Sequence, residues 1–401
     1  MRLLFLVPSV PFPLNEGLKV INYHILRELS ARHEISLLSL AESPEEVAGA
    51  ETLRPYCEEL EVIPHVIPRR ARARLRNLLA DSLPFCVRQY HSGALQARLR
   101  DWVAAKPFDA VHLTYTPMAQ YTEDLGELPR VLALVDCMSH LFASNALATR
   151  SPLAKVYWRA QARKMRAYER TALSTVHQAV VVTPADRDAL PEVDCPIRVI
   201  PCGVDAEYFG PQPGSEEGPS VLFRGILSFP PNVDAARYFY YEIFPAIRRA
   251  VRGTRLIVAG RDPAPPLRRL AAADQDVTLT GPLPDVRPVM ARANVHVCPM
   301  RLGSGVKIKV LEAMAMAKPV VTTSLGLSGI AALPGRDLLV ADDPDTFAEA
   351  VIRLLRDSGL RCRIGSGART FVVREHNWAV VAERYEEIYR AARNGCGGNA
   401  R

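Results

Sequence analysis

The sequence predicts an α/β protein made of two Rossmann-like units, each a parallel sheet covered by helices, facing each other across a cleft. Three observations carry this. Short apolar runs alternate with segments of helical period along the whole chain, the pattern of parallel sheets with helical crossovers. One stretch, PQPGSEEGP at 211–219, has turn formers and no apolar periodicity, and the alternation restarts after it. A glycine-rich loop in the second half leads directly into a helix, as at ligand sites on the carboxyl ends of parallel strands. The expected division is 1–205, 206–377 and a closing segment 378–401, whose helix is long enough to reach back to the first unit.

In the first unit, strands are expected at 3–7, 35–40, 60–63, 110–113, 130–135, 179–182 and 198–200. Helices are expected at 18–32, 94–104 and 153–174. The first of these has Leu18, Ile21, Ile25, Leu26 and Leu29 at helical spacing. In the second unit, strands read at 220–224, 255–259, 277–280, 295–298, 320–323 and 338–341. Its helices read at 234–250, 285–293, 306–317 and 344–357, followed by 360–373 and 378–393. The tail NGCGGNAR is expected to be mobile.

The 401 residues, 48% hydrophobic and 23% charged, fit a globular protein of two domains and exclude a disordered or fibrous chain. No apolar run approaches the ~20 residues that span a bilayer. The amino-terminal apolar run ends at Pro8 and precedes a helix, so it reads as a first strand rather than a signal peptide. Eight scattered cysteines without a CxxC pair argue for reduced thiols, a cytoplasmic setting and no structural zinc. The net charge is +7, but its distribution matters more. Arg69, Arg70, Arg72, Arg74 and Arg76 crowd into IPRRARARLRNLLADSLP, and a second basic helix covers 155–170. Such helices fit an anionic membrane surface at the inner face of the cell membrane, and equally a solvated basic face. No recognisable nucleic-acid module accompanies them.

The chemistry concentrates in RLGSGVKIKVLEAMAMAKPVV, 301–321. Gly303 and Gly305 let the backbone approach a ligand with its N–H groups. The helix after them presents its positive end to the same place. Lys307 and Lys309 fall in its first turn, where the dipole disfavours cations. That position makes sense if a multiply charged anion such as a diphosphate sits there. Glu312 shares a face with Lys309 and can accept hydroxyl hydrogen bonds, such as those of a ribose. There is no GxGxxG after the first strand, which argues against a dinucleotide dehydrogenase.

Together with IRVIPCGVDAEYF (197–209), FRGILSFPPNVDAARYF (223–239), LIVAGR (256–261), VTLTGPLPDVRPVMARANVHVCPM (277–300) and TTSLGLSGI (322–330), this stretch resembles the retaining glycosyltransferases of family 4, which have the GT-B fold. The pattern RxGSGxKxKxLEAMA is similar to a bacterial subgroup of exopolysaccharide and cell-surface glycan assembly. The resemblance implies a carboxy-terminal domain that holds a UDP-sugar or GDP-sugar and an amino-terminal domain that holds most of the acceptor site. It places Glu312 on the ribose, Val306 and its neighbours at the diphosphate, and the loop 281–286, with Gly281, Leu283 and Val286, at the base. It places Gly17 near the donor phosphates or the acceptor. Retention, with same-face attack and the diphosphate oxygen as proton acceptor, is implied in the same way.

Two departures from the family pattern matter. The first of the family's two motif glutamates falls on Ser304, which offers only a hydroxyl or its backbone. The Arg and Lys usual after the first strand of the second domain are replaced by Ile226 and Asn232. Lys307 and Lys309, helped by Arg224 or Arg301, are the candidates to supply that charge, since cations need only surround the oxygens where charge develops. In the first domain, His112 ends DAVHLTYTP, while Asp136, Ser139 and His140 follow VLALVDCMSH. His112, Asp136 and His140, at strand ends expected to face the cleft, are catalytic candidates beside Lys307 and Lys309, although the position of the family's own histidine, which touches the donor sugar, reads Thr114. His296 lies inside a strand pattern and reads as packing.

The expected activity is hexose transfer from a nucleotide-diphosphate sugar to a glycan or lipid-linked acceptor. With lysines at the phosphates and no DxD cluster, no metal or other cofactor is required. The rival readings are an NDP-sugar epimerase on the same scaffold and a catalytically silent sugar-nucleotide binding scaffold.

Overall fold

The computed structural model describes residues 1–14, 16–67, 71–149, 151–212, 218–303 and 305–397. Arg69, Arg70, Ser304, most of the 211–219 linker and the last four residues lie outside these, as does the Arg72 side chain. The chain forms two compact units, one of Met1–Pro201 with Val381–Arg401 and one of Cys202–Val380.

The first unit is built on β1 (Arg2–Val7), β2 (Glu34–Ala41), β3 (Glu59–Pro64), β4 (Ala110–Thr114), β5 (Arg130–Val135), β6 (Gln178–Val181) and β7 (Ile197–Val199). They form one seven-stranded sheet in the order β3-β2-β1-β4-β5-β6-β7. All pairs are parallel, with Leu3 opposite both Ile35 and Ala110. Strands covered on both faces need continuous apolar runs, and β1 shows it: Leu3 through Val7 are all inaccessible. The last helix, Trp378–Gly397, brings Tyr385 and Tyr389 against His112 in this unit. It runs through residues expected to belong to a mobile tail.

The second unit has β8 (Ser220–Arg224), β9 (Arg255–Ala259), β10 (Val277–Leu279), β11 (Val295–Cys298), β12 (Val320–Thr322) and β13 (Leu339–Val340). Their order is β10-β9-β8-β11-β12-β13, again all parallel. The sheet order reverses between β8 and β11, so the loops leaving those two strands open at the topological switch point, where α/β folds bind ligands.

Two expectations change. The helix expected over 234–250 starts earlier and is interrupted: Pro230–Tyr238, a wide π turn at Phe239–Ile243, then Phe244–Ala250. Pro245 lacks the N–H that would continue the ladder, and the wide turn accommodates it. The signature helix runs Ile308–Ala315, starting after Lys307 rather than at Val306. Gly305 at φ +69° and Lys307 at ψ 84° keep the backbone non-helical to that point. The helices Met138–Ala148 and Pro265–Ala273 were not legible beforehand. In the former, Cys-Met-Ser-His-Leu-Phe carries apolar groups on several faces and gives no period. Among the described residues no helix is long and apolar enough to cross a membrane.

Candidate active site

Close backbone packing at the end of the second sheet fixes the first wall of the site. Gly260 follows β9 at φ +153°, and a Cβ there would lie 1.8 Å from the Gly225 carbonyl oxygen. A Cβ on Gly225 would in turn lie 2.7 Å from Nδ2 of Asn232. The two strand ends can approach only because both residues are glycine. Gly260→Ala is therefore expected to destabilise the second unit by about 3 kcal/mol or more, read as a lower urea midpoint; an unchanged midpoint would refute the close approach.

The second wall is the loop before Ile308–Ala315. Gly303 has φ +105° and Gly305 φ +69°, conformations that favour glycine. Gly303 sits beside Pro231, its would-be Cβ 3.7 Å from the proline Cβ. The amino ends of two helices, Pro230–Tyr238 and Ile308–Ala315, thus flank one glycine loop, and both favour an anion there.

Lys309 lies between them. Its Nζ donates to Oδ1 of Asn232 at 2.7 Å, lies 3.5 Å from Sδ of Met300 and sits 4.7 Å from the Phe223 ring centroid. Asn232 is buried and donates Nδ2 to the Ile226 carbonyl at 3.0 Å. Burial pushes the Lys309 pKa down from its ordinary value. Asn232 and Met300, which its Nζ contacts directly, are neutral, so the ammonium keeps charge to offer an arriving anion. Asn232 was legible only as a departure from the family pattern; the fold makes it the residue that holds Lys309. Lys307 is buried and donates to the Gly305 carbonyl at 2.7 Å, bracing the loop from within.

Arg224 and Glu312 hold each other through two contacts, one of them Nη2 to Oε1 at 3.3 Å. Arg224 is therefore not a spare cation for the diphosphate. Its fork orients the Glu312 carboxylate, which keeps lone pairs for further donors. Arg301 likewise pairs with Asp234 at 2.8 Å and lies over the Tyr238 ring at 4.1 Å. Val306 packs against the core beside this loop. Ser304 lies outside the described residues. In the 281–286 loop, Gly281 has φ +68° with open space around it, Leu283 is exposed, and Val286 packs on the core. Asp285 holds Arg287 at 2.7 Å, and Arg287 lies over Tyr208 at 3.8 Å.

In the first unit the expectations divide. Gly17 opens the helix Gly17–Ser30, exposed, with nothing near where a Cβ would be; local packing does not require a glycine there. His112 does not end its strand. It is the third residue of β4, buried, with Nδ1 2.7 Å from the Tyr389 hydroxyl and Nε2 2.9 Å from that of Thr114. Phe5 stacks on it at 4.4 Å, and burial lowers its pKa to about 3. It is a neutral structural histidine without access to a substrate. His296 is buried too, its Nε2 3.1 Å from the Met290 carbonyl, with a pKa lowered to about 3 by burial.

Asp136 and His140 sit beyond β5, the first half-buried and the second exposed. The neighbouring ends of β4 and β5 carry Tyr115 at φ +79° and Val135 at φ +71°, rare for bulky or β-branched residues. Two buried carboxylates pin the segment that follows. Asp186 accepts from the Cys137 N–H at 3.0 Å, and Glu169 accepts from the Ser139 N–H at 2.9 Å. Burial raises the Glu169 pKa. Neither carboxylate stood out in the sequence, since each lies 30 or more residues from the segment it holds. Among the described residues no group of three His, Cys, Asp or Glu could hold a metal ion.

The chain matches two family models, "Glycosyltransferase Family 4" over residues 16–208 and "Glycosyl transferases group 1" over residues 218–357. Among curated proteins it is similar to the alpha-maltose-1-phosphate synthase of Mycolicibacterium smegmatis, 28% identical over 252 residues, which are 55% of this chain and 65% of that protein. It is also similar to the phosphatidyl-myo-inositol mannosyltransferase of Mycobacterium leprae, 28% identical over 200 residues, 47% of this chain and 52% of that one. The chain thus spans roughly half to two thirds of these relatives' length. Among solved structures, Anabaena Alr3699/HepE in complex with UDP-glucose matches with a TM-score of 0.67 at 15% identity, covering 98% of this chain and 100% of that one. The fold is accordingly GT-B. With the two family models lying end to end along most of its length, the chain belongs to the group 1, family 4 glycosyltransferases.

Proposed function

We propose that this enzyme transfers a hexose from a UDP-sugar or GDP-sugar, with retention of anomeric configuration, to a glycan or lipid-linked acceptor in bacterial exopolysaccharide or surface glycan synthesis. The observation that carries the reading is Lys309, a desolvated ammonium tethered to a neutral amide beside a glycine loop and two helix starts. Breaking the anomeric C–O bond leaves negative charge on the diphosphate, and preorganised cations and N–H groups stabilise charge where it develops. In this reading Lys309 meets the diphosphate, Lys307 keeps the loop in shape, and Glu312, oriented by Arg224, takes ribose hydroxyls. The 281–286 loop receives the base through its backbone. Residues 1–205 serve the acceptor, with Asp136 and His140 as its contacts and Gly17 as a point of close approach, and residues 206–377 serve the donor. The mannosyltransferase relative is named for a phosphatidyl-myo-inositol acceptor. This favours a lipid-linked acceptor here, met at an anionic membrane surface by Arg69, Arg70, Arg72, Arg74 and Arg76. No cofactor beyond the donor is required.

A thermal-shift series with UDP, GDP and their hexose conjugates tests this. A ligand at about 100 times its Kd adds roughly 2.7 kcal/mol of stability, so one nucleotide family is expected to raise the melting temperature by several degrees. No shift with any of them overturns the donor assignment. Acceptor-dependent nucleotide release distinguishes a transferase from an epimerase or a silent binder, and the anomeric configuration of the product tests retention.

A further inference from the structure

Helices Met138–Ala148 and Pro152–Ser174 pack against each other as a hairpin in the first unit. The inner face of the second helix buries Gln161, Met165 and Tyr168, and Trp158 meets Phe142 at 5.3 Å. The tip is different. Leu147, Leu153 and Val156 are 77%, 84% and 60% exposed, three aliphatic side chains near the helix ends left largely uncovered by the described residues.

Along the sequence of this hairpin the charge is of one sign. From Cys137 through Tyr168 the sequence holds Arg150, Lys155, Arg159, Arg163, Lys164 and Arg166 and no aspartate or glutamate. Leu153, Val156, Arg159 and Arg163 recur at helical spacing, so one outward stripe is apolar at the tip and basic above it. Arg159 and Arg163 are exposed and have no ion-pair partner among the described residues. The helix Ala71–Ala80, which carries exposed Arg74 and Arg76, is tied to the same hairpin: Gln161 donates to Asn77 Oδ1 at 2.9 Å and Lys164 to the Asn77 carbonyl at 2.6 Å.

We propose that the tip of this hairpin inserts Leu147, Leu153 and Val156 into the interfacial region of an anionic bilayer, with Arg159 and Arg163 reaching headgroup phosphates. The inference rests on the membrane-side acceptor reading above and supplies the element that makes contact. Apolar tip below and cations above is the order in which an interface is layered: acyl chains, then headgroup charge. A second copy of the chain fits poorly, because it would bring these cations against their own kind. A nucleic acid would leave the aliphatic tip without a partner.

The test is sedimentation of the full-length protein with vesicles of phosphatidylcholine alone and of phosphatidylcholine with phosphatidylglycerol, at low and high salt. The wild type is expected to bind the anionic vesicles. Leu147→Ser, Leu153→Ser and Val156→Ser together are expected to lower partitioning by roughly tenfold or more at either salt. Arg159→Glu with Arg163→Glu is expected to act mainly at low salt, where charge is least screened. Leu153→Cys carrying an environment-sensitive dye is expected to shift blue with anionic vesicles, which shows insertion without relying on a loss. Serine variants that bind like wild type, or a dye that stays in water, overturn the tip. If Arg74→Glu with Arg76→Glu then abolishes binding, the membrane reading survives and only the tip falls. Wild-type protein that ignores all vesicles sinks both, while nucleotide release onto a soluble acceptor tests the transferase reading by itself. A dimer abolished by the serine triple, without vesicle binding, overturns the proposal in favour of a second copy.

Discussion

Lys309→Ala is expected to lower kcat/KM for the donor by roughly 10²–10³-fold, the loss seen when one preorganised donor to a developing negative charge is removed. The protein should still fold. What Lys309 contributes to the fold is one hydrogen bond to Asn232 and a place over the Phe223 ring, worth about 1–2 kcal/mol. Asn232→Ala leaves the charge but removes its tether, so a loss of about tenfold is expected, carried mainly by kcat because the ammonium is present but less well placed. Glu312→Ala acts differently. It frees Arg224 from its partner and removes the carboxylate assigned to the ribose, so the loss should appear mainly as weaker nucleotide binding. Calorimetric titration with UDP and GDP, beside steady-state nucleotide release, separates the three. Donor affinity and turnover both unchanged in Lys309→Ala would remove the basis of the assignment.

Acid should unfold both units through their buried histidines. His112 in the first unit and His296 in the second are held neutral, with pKa values lowered from 6.5 to about 3 by burial. In the unfolded chain each takes up a proton below about pH 6.5. Between about 6.5 and 3 the unfolded state therefore binds more protons, and stability falls with falling pH. The stabilisation is complete above 6.5 and diminishes by about 1.4 kcal/mol per pH unit per histidine in that window. From about pH 7.5 to 5 that is roughly 2 kcal/mol for each unit. His33 and His177, also lowered by burial, act in the same direction. Glu169, raised above its usual value, acts in the opposite direction: just above its ordinary pKa the folded state holds the extra proton, so this one group favours folding as pH falls. Urea unfolding at the two pH values, with His112→Gln and His296→Gln, reads the effect unit by unit. Each substitution should flatten the pH dependence of its own unit; a midpoint independent of pH in the wild type would contradict the neutral assignment.

The strands of both sheets were legible because a strand buried on both faces must be a continuous apolar run, and such runs stand out between polar turns. The signature loop stood out for a similar local reason: glycines, lysines and a glutamate fall within ten residues, and Gly303 and Gly305 do take positive φ. The interrupted helix near Phe239–Ile243 was less so, since apolar period continues through Pro245 and only the hydrogen-bond ladder changes. His112 was read as a strand-end group because the sequence places it near a turn. Its partner, Tyr389, lies 277 residues away, and nothing local shows that the imidazole is enclosed.

What the sequence by itself determined is the α/β class and the family, because apolar period and glycine placement are properties of neighbouring residues. Only the tertiary structure decided which charges stand available. Arg224 is taken by Glu312 across 88 residues, and Lys309 is held by Asn232 across 77. A cation's availability depends on which partners the fold brings within about 3 Å, and separations of that length in sequence do not encode it locally.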